Sequence, residues 1–191
     1  MNKKTEIIIY SISGASLIAT LVIIILCFKR IAQSIKGTMG KSFFTIDELC
    51  QSDTAERYNI DNSPTPEAKE NLQALIDHVL NPARKAYGSY IKVNSGYRSS
   101  KLNAKVGGVA SSQHTTGEAA DITGGSIANN KEIFNVIARH GVYDQLIWEK
   151  GGQWIHVSYK RNGNNRLAML ETKDGSSYKN INNNWQNVVL A

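Results

Sequence analysis

The chain has 191 residues and a net charge of +6, with 41% hydrophobic and 20% charged residues. That is enough for one folded domain and an appendage, and the composition excludes a wholly disordered chain. Half of the net charge comes from Lys3, Lys4, Glu6, Lys29 and Arg30, and the remaining lysines are scattered among acids, so no nucleic-acid-binding stripe or motif is present.

From Ile7 to Phe28 no residue is charged, and 22 residues in a helix would cover a ~30 Å hydrocarbon core. Residues 1–30 are therefore expected to form a single transmembrane anchor. A cleaved secretory signal would have a shorter apolar run and small residues at its end, whereas this run ends Ile-Leu-Cys-Phe-Lys-Arg. Leu26 is too bulky for a lipoprotein signal before Cys27. The first half of the run carries Ser11, Ser13, Gly14, Ala15, Ser16, Ala19 and Thr20, a small-residue pattern that suits helix packing or a span that later leaves the bilayer. Lys29, Arg30, Lys36 and Lys41 outnumber Lys3 and Lys4, so charge alone would place the following domain in the cytoplasm.

Residues 31–42 read as a polar linker, and the folded domain is expected over 43–191. Thr45 with Glu48 forms a capping box that predicts a short helix over Ile46–Gln51. Cys50 falls in that helix, in a different environment from Cys27, so no disulfide between them is expected. Thr65-Pro66-Glu67 starts a longer helix whose apolar stripe is Leu72, Leu75, Ile76 and Val79. Asn81-Pro82 is expected to kink or restart it, and Gly88 to end it before a strand at Tyr90–Val93. A third helix carries Ile133, Val136 and Ile137 and stops at His140-Gly141. Gln145–Glu149 and Trp154–Tyr159 then flank a four-residue loop as a hairpin. Arg166–Glu171 predicts another strand, ahead of a Gly/Ser/Asn-rich tail with an apolar end at Trp185–Leu190. The expected fold class is α+β, with helices packed on one face of a small antiparallel sheet.

Catalytic zinc takes three protein ligands and keeps a fourth position open. His114 lies in a glycine-containing loop, Asp121 follows seven residues later at the start of a predicted strand, and His156 lies in the second hairpin strand. Alternation there puts Trp154, His156 and Ser158 on one face and Ile155 and Val157 on the other. A histidine by itself more often has a structural role. His78 fits a polar helix face and His140 a helix C-terminus, where a cation is favoured.

Four separated blocks carry a more specific signal: Ser95-Gly96-Tyr97-Arg98-Ser99; Leu102-Asn103 with Val106-Gly107-Gly108; Ser112-Gln113-His114 with Gly117 to Asp121; and Asp144 to Glu149 with Trp154 to Tyr159. In this order they resemble the zinc D-Ala-D-Ala carboxypeptidase family, the peptidase M15A group related to hedgehog-type domains. The resemblance runs over about Phe43 to Arg166. It implies zinc held by His114, Asp121 and His156, a substrate-engaging Arg98, and hydrolysis of amide bonds in peptidoglycan stem peptides, by a D,D-carboxypeptidase or an endopeptidase. Many relatives carry an acid three positions before the last histidine, but Gln153 stands there. Glu149, at the end of the preceding strand, is therefore the expected general base, with Glu118 and Asp144 as reserves. Substrate in the cell wall requires the domain on the extracytoplasmic side of the membrane, and this outweighs the charge asymmetry. Two alternatives are a zinc-containing wall-binding module without catalysis and a peptidase for free D-Ala-D-Ala dipeptide, the latter disfavoured by the anchor.

Overall fold

Helices form where local capping is built into the chain. In the computed structural model, which describes residues 42–190, Thr45 Oγ1 accepts from the Glu48 amide at 3.1 Å and starts α1 (Ile46–Cys50). Ser52 caps α2 (Asp53–Arg57) in the same way, and Thr65 caps α3 (Pro66–Leu75). The helix then passes through one π turn, Ile76–Leu80, into α4 (Asn81–Tyr87). The expected break at Asn81-Pro82 is thus a restart after a widened turn. A proline ring clashes with the carbonyl four residues back, and the extra residue of a π turn relieves that crowding.

β1 is Lys92–Ser95, two residues later than the predicted strand, and its pairing with β2 is irregular between Val93 and Ser95. Next come α5 (Ser100–Lys105), a 3₁₀ turn at Gln113–Thr116, β2 (Ala119–Thr123) and α6 (Ile127–His140), which ends at Gly141 with φ 68°. The hairpin of β3 (Gln145–Glu149) and β4 (Trp154–Ser158) has its four-residue loop at 150–153 as expected. β5 (Ala168–Glu171), β6 (Lys179–Asn180) and α7 (Trp185–Val189) complete the fold.

The six strands run in the order β1-β2-β4-β3-β5-β6. The sheet is mixed, not wholly antiparallel, because β5 pairs parallel to β3. The reason is long-range. After β4 the chain turns around the start of β3, where Asp144 accepts from the Arg166 backbone amide at 3.0 Å and its Nε at 2.9 Å, with Lys160 Nζ 3.7 Å away. The Asp144 carbonyl also receives the Ala168 amide at 3.0 Å. The connection is thereby delivered to the free edge of β3 in the same direction as β3.

One face of the sheet is apolar and buried. Ala120, Ile122, Leu146, Trp148, Ile155 and Val157 join Leu72, Leu75, Ile76, Leu80, Ile133, Phe134 and Ile137 in one core, and the opposite strand positions are left free for polar groups. Within the hairpin, Asn130 of α6 donates to the Gly152 and Gln153 carbonyls at 2.8 and 3.1 Å. Gly152 lies flat on the Trp148 ring at φ 91°; a Cβ there would meet the ring at 2.0 Å. The expected span at 7–28 and all but the last residue of the linker lie outside the described residues. Among the described residues no helix is long and apolar enough to cross a membrane.

Candidate metal centre

The register of three strands assembles the site. Asp121 of β2 lies opposite His156 of β4, which lies opposite Ile147 of β3, and alternation puts Glu149 on that same face two residues further along. His114 comes from the 3₁₀ turn over the sheet and Arg98 from the loop after β1. All five predicted site residues therefore gather on the face that the helices leave uncovered.

The loop geometry that brings in His114 depends on backbone contacts. The Arg98 amide donates to the His114 carbonyl at 3.1 Å, and His114 Nδ1 lies 2.7 Å from the Gly96 carbonyl. A carbonyl only accepts, so Nδ1 carries the proton and Nε2 presents its lone pair to the site. Gly96 itself packs against the Leu49 carbonyl, where a Cβ would stand only 2.2 Å away. Asn62 reinforces the turn by donating to the Cys50 and Tyr97 carbonyls and accepting from the Ser99 amide at 2.7 Å. Asn71 of α3 donates to the Thr116 carbonyl at 2.9 Å and holds the other end of the histidine turn. Neither asparagine was singled out from sequence, because single asparagines bracing distant backbone leave no local pattern.

The three ligand atoms form a tight triangle. His114 Nε2 is 3.3 Å from Asp121 Oδ1, His156 Nδ1 is 2.9 Å from the same oxygen, and the two nitrogens are 3.2 Å apart. Bonds of 2.0–2.1 Å to a tetrahedral zinc would separate neighbouring ligand atoms by about 3.3 Å. The donor set and spacing therefore fit a divalent ion of that size, and His114, Asp121 and His156 form a candidate metal-holding cluster. Burial alone would raise the Asp121 pKa, but the two imidazoles overcome it and hold the carboxyl well below its usual range. Its second oxygen faces Arg98, with Oδ2 3.7 Å from Nη2. Arg98 Nε is buried and has no hydrogen-bond partner among the described residues.

Glu149 is 7% exposed, and no hydrogen bond within the described residues reaches its carboxylate. Burial raises its pKa; nearby His156 opposes the shift and the Asp121 charge adds to it. The reserve acids differ. Glu118 accepts from Thr116 Oγ1 at 3.1 Å, and Asp144 is fully buried in its ion pairs at the opposite end of β3. Gln153 lies in the hairpin loop, its amide bonded to the Glu149 carbonyl at 3.0 Å. His78 stacks on Tyr159 with centroids 5.0 Å apart, and His140 Nε2 contacts the His78 carbonyl, as their structural reading expects. A cavity of about 730 Å³ lies elsewhere, beside α1 and α2, and none of its lining residues belongs to the triangle. Donor chemistry, not depth, identifies the site.

A family model described as Peptidase M15 matches residues 42–158, a stretch that contains Arg98, His114, Asp121, Glu149 and His156. No curated protein matches the chain.

Proposed function

We propose that this chain, which belongs to the peptidase M15 family, is a zinc-dependent hydrolase of amide bonds in peptidoglycan stem peptides. The observation that carries the reading is the triangle of His114 Nε2, Asp121 Oδ1 and His156 Nδ1 beside a buried Glu149 whose carboxylate has no hydrogen-bond partner among the described residues. A zinc ion held there supplies a Lewis acid that polarises the scissile carbonyl and acidifies water.

The remaining chemistry belongs to side chains. Gly96 fixes the tautomer of His114, and Asp121 neutralises charge while its outer oxygen orients Arg98. Arg98, whose guanidinium is partly exposed beside Asp121, binds a substrate carboxylate or a carbonyl gaining negative charge through its planar fork of donors. Glu149 accepts the proton of the attacking water and returns it to the leaving amine, a role served by a carboxylate whose pKa burial raises above its ordinary value. The same reading keeps the anchor at 7–28 and places the peptidase domain on the extracytoplasmic side, where its substrate lies. Its support is the uncharged run of 22 residues in the sequence.

The test is metal content and fragment release from peptidoglycan for the full-length chain, His114→Ala and Glu149→Gln. The expected result is about one zinc per chain, lost in the histidine variant and kept in the glutamine variant, with cleavage abolished in both. Zinc retained by a parent chain that cuts nothing would favour a wall-binding module, and no bound metal would overturn the reading.

A further inference from the structure

The family match ends at residue 158, but the sheet does not. β5 and β6 extend it beyond β3, on the side of Glu149 away from Arg98. Trp148 pairs with Glu171, and Glu171 with Lys179. Continued one position past these last pairs, the same register aligns Glu149, the final residue of β3, with Thr172 just after β5 and Tyr178 just before β6. Met169 and Ile181 belong to the helix-covered core, so alternation turns Tyr178, three residues before Ile181, toward the metal face. Tyr178 is 51% exposed and its hydroxyl makes one long contact among the described residues, 3.4 Å to the Gly175 carbonyl. Burial, and then the charges of Glu149 and Asp121, raise its pKa, which agrees with a hydroxyl that leans toward the site.

The loop that presents Tyr178 is well braced. Asp174 Oδ1 accepts from the Ser176 and Ser177 amides, each at 2.8 Å, and from Thr172 Oγ1 at 3.1 Å. The Gly151 amide donates to the Thr172 carbonyl at 3.2 Å and ties this loop to the β3–β4 hairpin. These bonds hold the backbone that leads into Tyr178 beside the hairpin that carries Glu149.

The geometry points to Tyr178 as a specificity-determining residue that contacts the peptide on the far side of the scissile bond from Arg98, an inference that rests on the peptidase reading of the site. Strand spacing of ~4.8 Å places β6 about 14 Å from His156, the length of about four extended residues. With Arg98 taking the terminal carboxylate, the Tyr178 hydroxyl exchanges its long contact to the Gly175 carbonyl for a bond donated to a backbone carbonyl of the second or third residue on the acyl side. A stem pentapeptide fills this region and a D-Ala-D-Ala dipeptide does not.

The test is calorimetric binding of these two peptides to the full-length, zinc-loaded Glu149→Gln protein, with and without Tyr178→Phe. Loss of one neutral hydrogen bond is expected to weaken pentapeptide binding about 3- to 10-fold and dipeptide binding less than about 2-fold. Equal weakening of both peptides, or of neither, overturns the inference. Pentapeptide-selective weakening in a protein whose Glu149 parent cuts no peptide would sustain the contact while sinking the peptidase reading. No binding of either peptide would overturn both.

Discussion

Strand β3 is flanked by two buried carboxylates with opposite surroundings. Asp144, just before its start, is fully buried and saturated. It accepts from Gln113 Nε2 at 3.1 Å, from Arg166 through backbone and guanidinium, and pairs with Lys160. Its burial would raise the pKa, but Arg166 overcomes this and brings it down to about 2. Glu149, the last residue of the strand, is nearly as buried but has no such partners, and its pKa moves upward. A carboxylate whose hydrogen-bonding capacity is filled holds the fold together, whereas one kept poor in donors is free to exchange a proton.

Substitution at the two ends should separate these roles. The largest effect is expected for Glu149→Gln, which should lower kcat/KM for peptide cleavage by about 10²- to 10⁴-fold with zinc content unchanged. Asp144→Asn should leave both within about an order of magnitude, since Asp144 is not placed at the reacting centre. Equal rate losses at the two positions would erase the distinction.

Stability should respond in the reverse sense. Asp144→Ala removes the acceptor of the Gln113 side chain and of the Arg166 amide and guanidinium, and is expected to cost about 1–2 kcal/mol in denaturant unfolding, since the Arg166 side chain left behind is half exposed to water. The Asp144 contribution also has a fixed sign with pH. Its folded-state pKa is depressed, so the stabilisation is complete above the unfolded value of ~3.9 and disappears as pH falls through about 2. The parent chain should therefore lose stability over that acid window more steeply than Asp144→Asn.

A smaller effect is expected from Glu149→Gln in the metal-free protein. A carboxylate with a raised folded-state pKa destabilises the fold wherever it is ionised, and protonation relieves that cost as pH falls. At neutral pH the amide should therefore raise stability by about 1 kcal/mol, measured as a higher denaturation midpoint. The smallest effect should come from Lys150→Gln. Lys150 favours the ionised form of Glu149, so its loss should move the acid limb of kcat/KM slightly upward in pH; a downward shift would contradict Glu149 as the base.

The sequence revealed much of this arrangement wherever the signal is local. Thr45, Thr65 and Gly141 mark helix ends through bonds to neighbouring residues, and the 150–153 loop fixes the hairpin register, so these were readable one segment at a time. The strand of His156 alternates as expected, with Ile155 and Val157 fully buried and His156 on the other face. What was not legible depends on distant partners. The parallel pairing of β5 follows from Asp144 meeting Arg166, and β1 begins late because its partner β2 ends at Thr123, which lies opposite Lys92. The short helices α2 and α5 have serine caps but too few residues to show an apolar period. The metal-site residues themselves were legible through motif blocks. Tyr178 was not, because only the sheet register brings it alongside Glu149.

The delayed arrival of β5 has a consequence for biosynthesis. Until the chain beyond residue 158 has emerged and turned around Asp144, the hairpin exposes a complete row of unpaired β3 amides and carbonyls beside Leu146 and Trp148. Such an edge is a template for pairing with another nascent chain. A version cut at residue 158 would keep every ligand of the metal triangle and still be expected to aggregate, because it lacks the strand that covers this edge.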